Sequence, residues 1–444
     1  MRRAARIHAA IELLDEIEQS LSTGGPAADR LIDAYFRSRR YAGAGDRRET
    51  IRLVYAALRN RGRLLWALGL KDDAHPPARQ IMLALLTAIE HEKAAGIAAE
   101  FSGGKFAPAP LSASERRLID RLAEPGTAAP PEWARWNVPE WLIAPLKESF
   151  DARIADELEG LEGRATLDIR VNTLKADREK VWSVLSKKGV EASECPMSPL
   201  GLRLQEGARV TDHDLYRDGV VEIQDEAAQV AALLADARRG MVVIDLCAGA
   251  GGKTLGMAAR MANNGTIHAY DVDRARLEAL EKRAKRGGVT VAYARVLPEG
   301  EARAKILGDF RFGADRVVVD APCSGTGTWR RNPEGRWRLT PDRLAAHRDR
   351  QRALLLEAAA LVKPGGRLVY MTCSILRAEN AENAETFLDA HKNFRALDYR
   401  DIWRQVIGSN PAQTAGPPEP YLTLTPALHG TDGFFVAIFE RRAA

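Results

Sequence analysis

The chain has 444 residues, 45% of them hydrophobic, and 65 Lys and Arg against 60 Asp and Glu give a net charge of +5. That size and balance describe a globular protein with room for two or three cores and exclude disordered, fibrous and collagen-like classes. Its four cysteines, Cys195, Cys247, Cys323 and Cys373, are too sparse and too far apart for a disulfide framework or a CxxC zinc site, so no metal is expected. No apolar run approaches the ~20 residues of a membrane span. The opening "MRRAARIHAAIELLDEIEQ" carries acids where a signal peptide has an unbroken apolar stretch, so a cytoplasmic protein is expected.

Residues 1–128 read as an all-helical domain: "RIHAAIELLDEIEQSL", "AADRLIDAYFRSRR", "DRRETIRLVYAALRNRGRLLWALGL", "PARQIMLALLTAIEHEKAAGIAAEF" and "SASERRLIDRLAE" repeat apolar residues every three or four positions. Nine arginines fall between Arg37 and Arg63 against only Asp46 and Glu49, a concentrated basic patch. Such a patch is either a solvated helix face or a surface for nucleic acid. "PGTAAPPEWARWNVPEW" breaks the pattern and reads as a linker leading into an irregular segment.

Residues 129–235 mix short strands, "ATLDIRVNTLK" and "LGLRLQEG", with helices, which fits a small α+β unit. The basic strand "IRVNTLK" is open to RNA or is plain scaffold. Residues 236–444 then alternate regularly through "MVVIDLC", "KTLGMAARMA", "GTIHAYDVD", "RARLEALEKRAKRGG", "VTVAYARV", "ADRVVVDAP", "GGRLVYMTCS" and "FFVAIFE". Continuous apolar strands in that alternation predict a doubly covered, largely parallel Rossmann-like sheet, whose ligands bind at the carboxyl ends of the strands. After "ADRVVVDAP" comes "WRRNPEGRWRLTPDRLAAHRDRQR", where Trp329 and Trp337 lie among arginines. Guanidinium and aromatic faces together suit unstacked bases and phosphates, so this stretch is expected to face RNA.

"VVIDLCAGAGGKT" ends a strand, turns through Gly249, Gly251 and Gly252 and opens a helix. It ends in Gly-Lys-Thr, but a phosphate-binding P-loop needs glycine at 247, where Cys247 stands. A dinucleotide GxGxxG fails too, because Thr254 occupies the third glycine position. What remains is Asp245 before the loop and Asp271, with Asp273, after the next strand, where a nucleoside cofactor's ribose diol is gripped. A held diol without a phosphate loop points to S-adenosylmethionine ahead of NAD or ATP.

Taken together, "DLCAGAGGKT", "DAPCSGTGT" followed by "RRNPEGRW", "TCSILRAENAE" and "LTPALHGTDGFFVAIFER" resemble the RsmB/NSUN family of RNA cytosine methyltransferases over residues 130–442. The helical N-terminus is similar to the NusB-like module of bacterial RsmB proteins. The resemblance implies a class I methyltransferase sheet and methyl transfer from S-adenosylmethionine to carbon 5 of cytosine. It also implies an RNA substrate, ribosomal first and transfer RNA second, and a monomer is the default expectation. Carbon 5 is too electron-poor to attack a methyl donor until a nucleophile adds at carbon 6, and a thiolate adds and leaves readily. A base must afterwards remove the carbon-5 proton.

The residues alone do not say which thiol attacks. The resemblance makes Cys373 the nucleophile and Cys323 the release group, with Lys253 and Asp320 on the target base. The cofactor is expected against Cys247, Ala248, Gly249, Ala250, Gly251, Gly252 and Lys253, with Asp271 on the ribose and Asp320 in contact. Cys247 is expected to pack inwards, and nothing argues for a role of Cys195. One departure stands out: after the third strand, "VTVAYARVLPEG" has Ala294 or Arg295 where the family places an adenine-side aspartate. A non-catalytic RNA-binding assembly factor that keeps the fold is the competing reading. A methyltransferase for nitrogen or protein would need no thiols and usually an Asn/Asp-Pro-Pro-aromatic turn, where this chain has Asp-Ala-Pro-Cys.

Overall fold

The structure, a computed structural model, describes residues 1–124, 128–416 and 420–443. The chain folds into two compact units: Met1–Lys147 with Trp329–Pro341, and Glu148–Thr328 with Asp342–Ala444.

The first unit is helical. Its central helix, Arg3–Thr23, buries Ile7, Leu13, Leu14 and Ile17 in one core with Leu53, Val54 and Leu58 of helix Ala44–Arg59 and Ile81 and Met82 of helix Ala78–Ala84. The three- and four-residue spacing of these positions forms the apolar stripes that make the helices pack. Helix Ala113–Ala123 starts in a capping box, in which Ser112 and Glu115 each satisfy a free N–H of the other's backbone.

Two expectations change here. The boundary after 128 moves, because Trp133, Ala134 and Trp136 are buried in the helical unit; residues 125–127 of the expected linker lie outside the described residues. The arginine-tryptophan segment also belongs to this unit. Trp329, Arg330 and Arg336 are buried, Trp337 packs on the helical core, the Arg336 guanidinium donates to the Asn137 carbonyl at 3.0 Å, and the Ala28 N–H donates to Glu334 at 3.1 Å. Arg336 and Trp329 stack at 4.8 Å, so the pairing expected to meet bases is spent internally. The N-terminal patch thins for the same reason. Arg61 is buried on Glu18 through two 2.8 Å bonds, and Arg59 and Arg63 donate to backbone carbonyls, which leaves Arg37, Arg40 and Arg48 among the exposed ones.

The second unit holds two sheets. Strands β1 (Leu167–Val171), β2 (Ala192–Glu194), β3 (Gly201–Leu204) and β4 (Val221–Ile223) form an antiparallel sheet in the order β2-β3-β1-β4. The larger sheet contains β5 (Val242–Asp245), β6 (Thr266–Asp271), β7 (Ala292–Val296), β8 (Ala314–Asp320), β9 (Val362–Thr372), β10 (Phe394–Leu397), β11 (Leu422–Leu424) and β12 (Phe434–Arg441). Its order is β10-β12-β9-β8-β5-β6-β7, with β11 beside β12; β5 to β9 run parallel and β12 is antiparallel to β9 and β10. This is the Rossmann-like sheet expected from the alternation.

Both faces are covered. Ile244, Val317 and Val319 enter one core, while Val243 and Val318, the alternate residues on the same strands, enter the other. Each such valine or isoleucine contributes about 1.5–3 kcal/mol of burial. The short strands β10 and β11 were not apparent from sequence.

Candidate active site

From β5 the chain moves to β6 on one side, and β8 pairs with β5 on the other, so the strand order switches at β5. A cavity of about 880 Å³ opens there, beyond the carboxyl ends of β5, β6 and β8. It is lined by the glycine-loop residues Cys247, Ala248, Gly249, Ala250, Gly252 and Lys253, and by Asp245, Asp271, Asp320, Cys323 and Cys373. The structure thus gathers the sequence-selected residues around one space; of them only Gly251 does not line it.

Gly251 sits just outside, for a steric reason. It caps helix Gly252–Arg260 with φ +85°, and a Cβ there would come within 2.5 Å of Leu280 Cγ. The loop is braced from behind: Arg170 of β1 donates to the Gly252 carbonyl at 2.8 Å and Arg283 to the Ala250 carbonyl at 2.6 Å. Arg170 is buried, which lowers its pKa to about 10. Strand β1 is therefore scaffold at this arginine and does not present it to RNA.

Asp271 accepts the Gly249 N–H on one carboxylate oxygen and the Asp273 N–H on the other, both at 2.8 Å, and keeps lone pairs for a diol. Asp245 accepts from Thr254 Oγ1 at 2.7 Å, while its Oδ1 is buried without a partner. Burial pushes the Asp245 carboxyl up to about 7. An orphaned buried oxygen, a diol-ready acid and a side-chain-free loop fit a nucleoside-bearing cofactor.

The two thiols converge from β8 and β9, with Cys323 Sγ 3.4 Å from Cys373 Sγ. That is a contact between free thiols, far beyond the ~2.05 Å of a disulfide. The hydrogen bond with Cys373 and burial push the Cys323 thiol well above its ordinary range, so Cys323 keeps its proton. Lys253 Nζ lies 2.6 Å from Asp320 Oδ2 and over the Phe434 ring at 4.7 Å.

Buried Glu379 holds the Cys323 loop: it accepts from the Ser324 N–H and Gln351 Nε2, each at 2.9 Å, and from the Ser324 hydroxyl. Asn380 holds the other turn, accepting from Thr372 Oγ1 at 2.6 Å and donating to the Ser374 carbonyl at 2.9 Å. Gly327 ties both to β12: its N–H donates to the Cys373 carbonyl at 2.9 Å and its carbonyl accepts from Gly433 at 2.8 Å.

The other cysteines stand apart. Cys247 packs against the apolar core while lining the cavity, and burial followed by the charge of Asp245 pushes its thiol up, which disfavours the thiolate. Cys195 lies with Asp168 and Glu226, a grouping whose ligand atoms fall within 4.8 Å. The Arg203 guanidinium fills that place instead, at 2.8 Å from Asp168 and 3.2 Å from Glu226.

Two family models match this chain. That for the 16S rRNA methyltransferase RsmB/F covers residues 231–440, and that for the ferredoxin-like domain of RsmF/B-like methyltransferases covers residues 138–211. The probable ribosomal RNA small subunit methyltransferase B of Synechocystis sp. is 33% identical over 310 residues, 69% of this chain and 67% of the relative. The chain belongs to the RsmB/F family of RNA methyltransferases. The Bacillus subtilis protein of the same name is 31% identical over 68% of this chain and 66% of the relative, so the chain spans about two thirds of the curated relatives it matches. The crystal structure of PH0851 is similar over 99% of both chains, with TM-score 0.78 and 29% identity.

Within the RsmB/F fold, sequence reasoning missed the residues that brace the cavity's loops without lining it: Arg170, Arg283, Gln351 and Glu379. Two left a trace. Arg170 is a lone cation in an apolar strand, and Glu379 lies in the same "TCSILRAENAE" stretch as Cys373.

Proposed function

We propose that the protein transfers a methyl group from S-adenosylmethionine to carbon 5 of a cytosine in RNA, through a covalent adduct between Cys373 and carbon 6. Small-subunit ribosomal RNA is the proposed substrate, in keeping with the names of the relatives. The carrying observation is the pair of free thiols, 3.4 Å apart, on the wall of the same cavity as the glycine loop and the Lys253–Asp320 pair.

Cys373 adds as thiolate to carbon 6, and the carbon 5–carbon 6 electron pair becomes available at carbon 5. Asp320 accepts a hydrogen bond from the cytosine amino group, and Lys253, its 2.6 Å partner, holds the ring and donates a hydrogen bond to it as negative charge develops. S-adenosylmethionine, held by the glycine loop and Asp271, supplies an electrophilic methyl group. A base then takes the carbon-5 proton, the C–H electron pair re-forms the double bond, and the Cys373 sulfur leaves as thiolate.

Cys323 suits this last role for a reason internal to the pair. The largest cause of its raised pKa is the neighbouring Cys373 sulfur. Once that sulfur is bonded to carbon 6, this largest cause is removed, while burial and the charge of Glu379 still favour the thiol. The role therefore requires Cys323 to pass its proton to solvent in the cavity it lines before it accepts the one from carbon 5.

The test compares wild type, Cys323→Ala and Cys373→Ala for a nuclease-sensitive, slow-migrating band on a denaturing gel. Accumulation in Cys323→Ala alone supports the assignment, and sequencing the trapped RNA names the substrate, ribosomal or transfer. An adduct that needs Cys323 exchanges the two roles. No adduct in any variant favours a non-catalytic RNA-binding factor.

A further inference from the structure

We propose that Glu299 reads the adenine of the cofactor, accepting a hydrogen bond from its exocyclic amino group. This rests on the reading of the cavity as an S-adenosylmethionine site. The third strand cannot supply the acid: β7 ends at Val296 and is followed by the fully buried Leu297.

Six carboxylates line the cavity: Asp245, Asp271, Asp273, Glu299, Asp320 and Glu357. Five are engaged. Asp245 holds Thr254 and Asp271 holds two backbone N–H groups; Asp273 caps its helix through the Ala275 and Arg276 N–H groups; Asp320 pairs with Lys253 and Glu357 with both arms of Arg303. Among the described residues, Glu299 alone of the six makes no hydrogen bond or close ion pair; its charged neighbour is Arg303, whose guanidinium is held by Glu357, and Glu299 is exposed on the cavity wall.

A second observation points to a flat apolar ligand at the same end. Val272, directly after the ribose acid Asp271, lines the cavity and is 52% exposed. An exposed valine beside a diol-binding carboxylate offers a face for the base that the ribose carries. A free carboxylate accepts and never donates, so it favours the amino group of adenine and repels the carbonyl that hypoxanthine carries at the same position.

The test is calorimetric titration of the full chain with S-adenosylhomocysteine and with S-inosylhomocysteine. Wild type is expected to prefer the adenosyl ligand by about 30-fold, and Glu299→Ala to bind it about 10-fold more weakly, the scale of one charge-assisted hydrogen bond. In Glu299→Gln, whose amide can donate to the inosyl carbonyl, the preference is expected to fall below about 3-fold. If both variants keep the wild-type affinity and ratio, Glu299 does not read the base. If wild type binds no S-adenosylhomocysteine, the cofactor reading beneath the proposal falls with it.

Discussion

A single methyl group at Gly327 tests how the two thiols are held. Gly327 is buried and has no positive φ, so alanine is excluded there by space alone. An ideal Cβ would stand 2.3 Å from the Gly433 carbonyl oxygen and 2.6 Å from Gly433 Cα, where real Cβ contacts start beyond 3.0 Å. Both neighbours are backbone, so relief requires the two segments to part by about 1 Å, an overpacking cost of about 1–3 kcal/mol. That movement breaks the 2.9 and 2.8 Å bonds through which Gly327 joins Cys373 to Gly433, at about 1 kcal/mol each. Gly327→Ala is therefore expected to lose about 3–5 kcal/mol, a large share of a typical folding stability. Urea unfolding measures this as a lowered midpoint at unchanged slope. Gly325→Ala is the comparison: there φ is +68° and the nearest atom is Thr328 Oγ1 at 3.5 Å, so backbone strain alone costs about 1–3 kcal/mol. In a Cys323→Ala background, Gly327→Ala is also expected to reduce the trapped adduct, because the Cys373 carbonyl loses its anchor. A Gly327→Ala protein within about 1 kcal/mol of wild type would refute the view that this backbone crossing fixes the thiol geometry.

Asp245 gives a pH prediction. Its folded pKa of about 7 lies above the ordinary carboxyl value, so the folded chain keeps a proton that the unfolded chain releases. The contribution to stability is present in full below about pH 4 and is lost as pH rises towards 7. Asp245→Asn should flatten that part of the profile, read from urea unfolding at successive pH values; an unchanged slope would show that Asp245 ionises normally. Arg203 stands between the buried carboxylates of Asp168 and Glu226. Arg203→Met leaves both with backbone N–H donors but no countercharge and should cost about 3–5 kcal/mol in the same assay, with a smaller loss at acid pH where the carboxylates protonate.

The residues that line the cavity were legible because each is a local event. Asp271, Asp320, Cys323 and Cys373 lie at or just past a strand end and Lys253 in the first turn of the helix after the glycine loop, each in a short, distinctive stretch, and strand ends on one side of a parallel sheet share one space. The fold followed from unbroken runs such as "VVVD" and "LVYMT", which bury both faces. Composition misled where one chemistry serves two ends. Arginines beside Trp329 and Trp337 look the same whether they wait for a base or close a core, and only the Asn137 carbonyl, 199 residues from Arg336, decides it. Glu299 escaped notice because its distinction is the lack of a partner, a property that exists only once the other five carboxylates have found theirs.

The insertion of Trp329–Pro341 into the helical unit has a consequence for biosynthesis. The helices of residues 1–147 leave the ribosome first, yet Glu334, Arg336 and Trp337, which complete their packing, are made almost two hundred residues later. The amino-terminal unit lacks that packing until half of the eight strands of the larger sheet, β5 to β8, have been synthesised. A fragment ending at residue 147 would emerge with an unfilled core where Trp337 belongs, and Cys323, just past the end of β8, stands six residues before the piece that closes it.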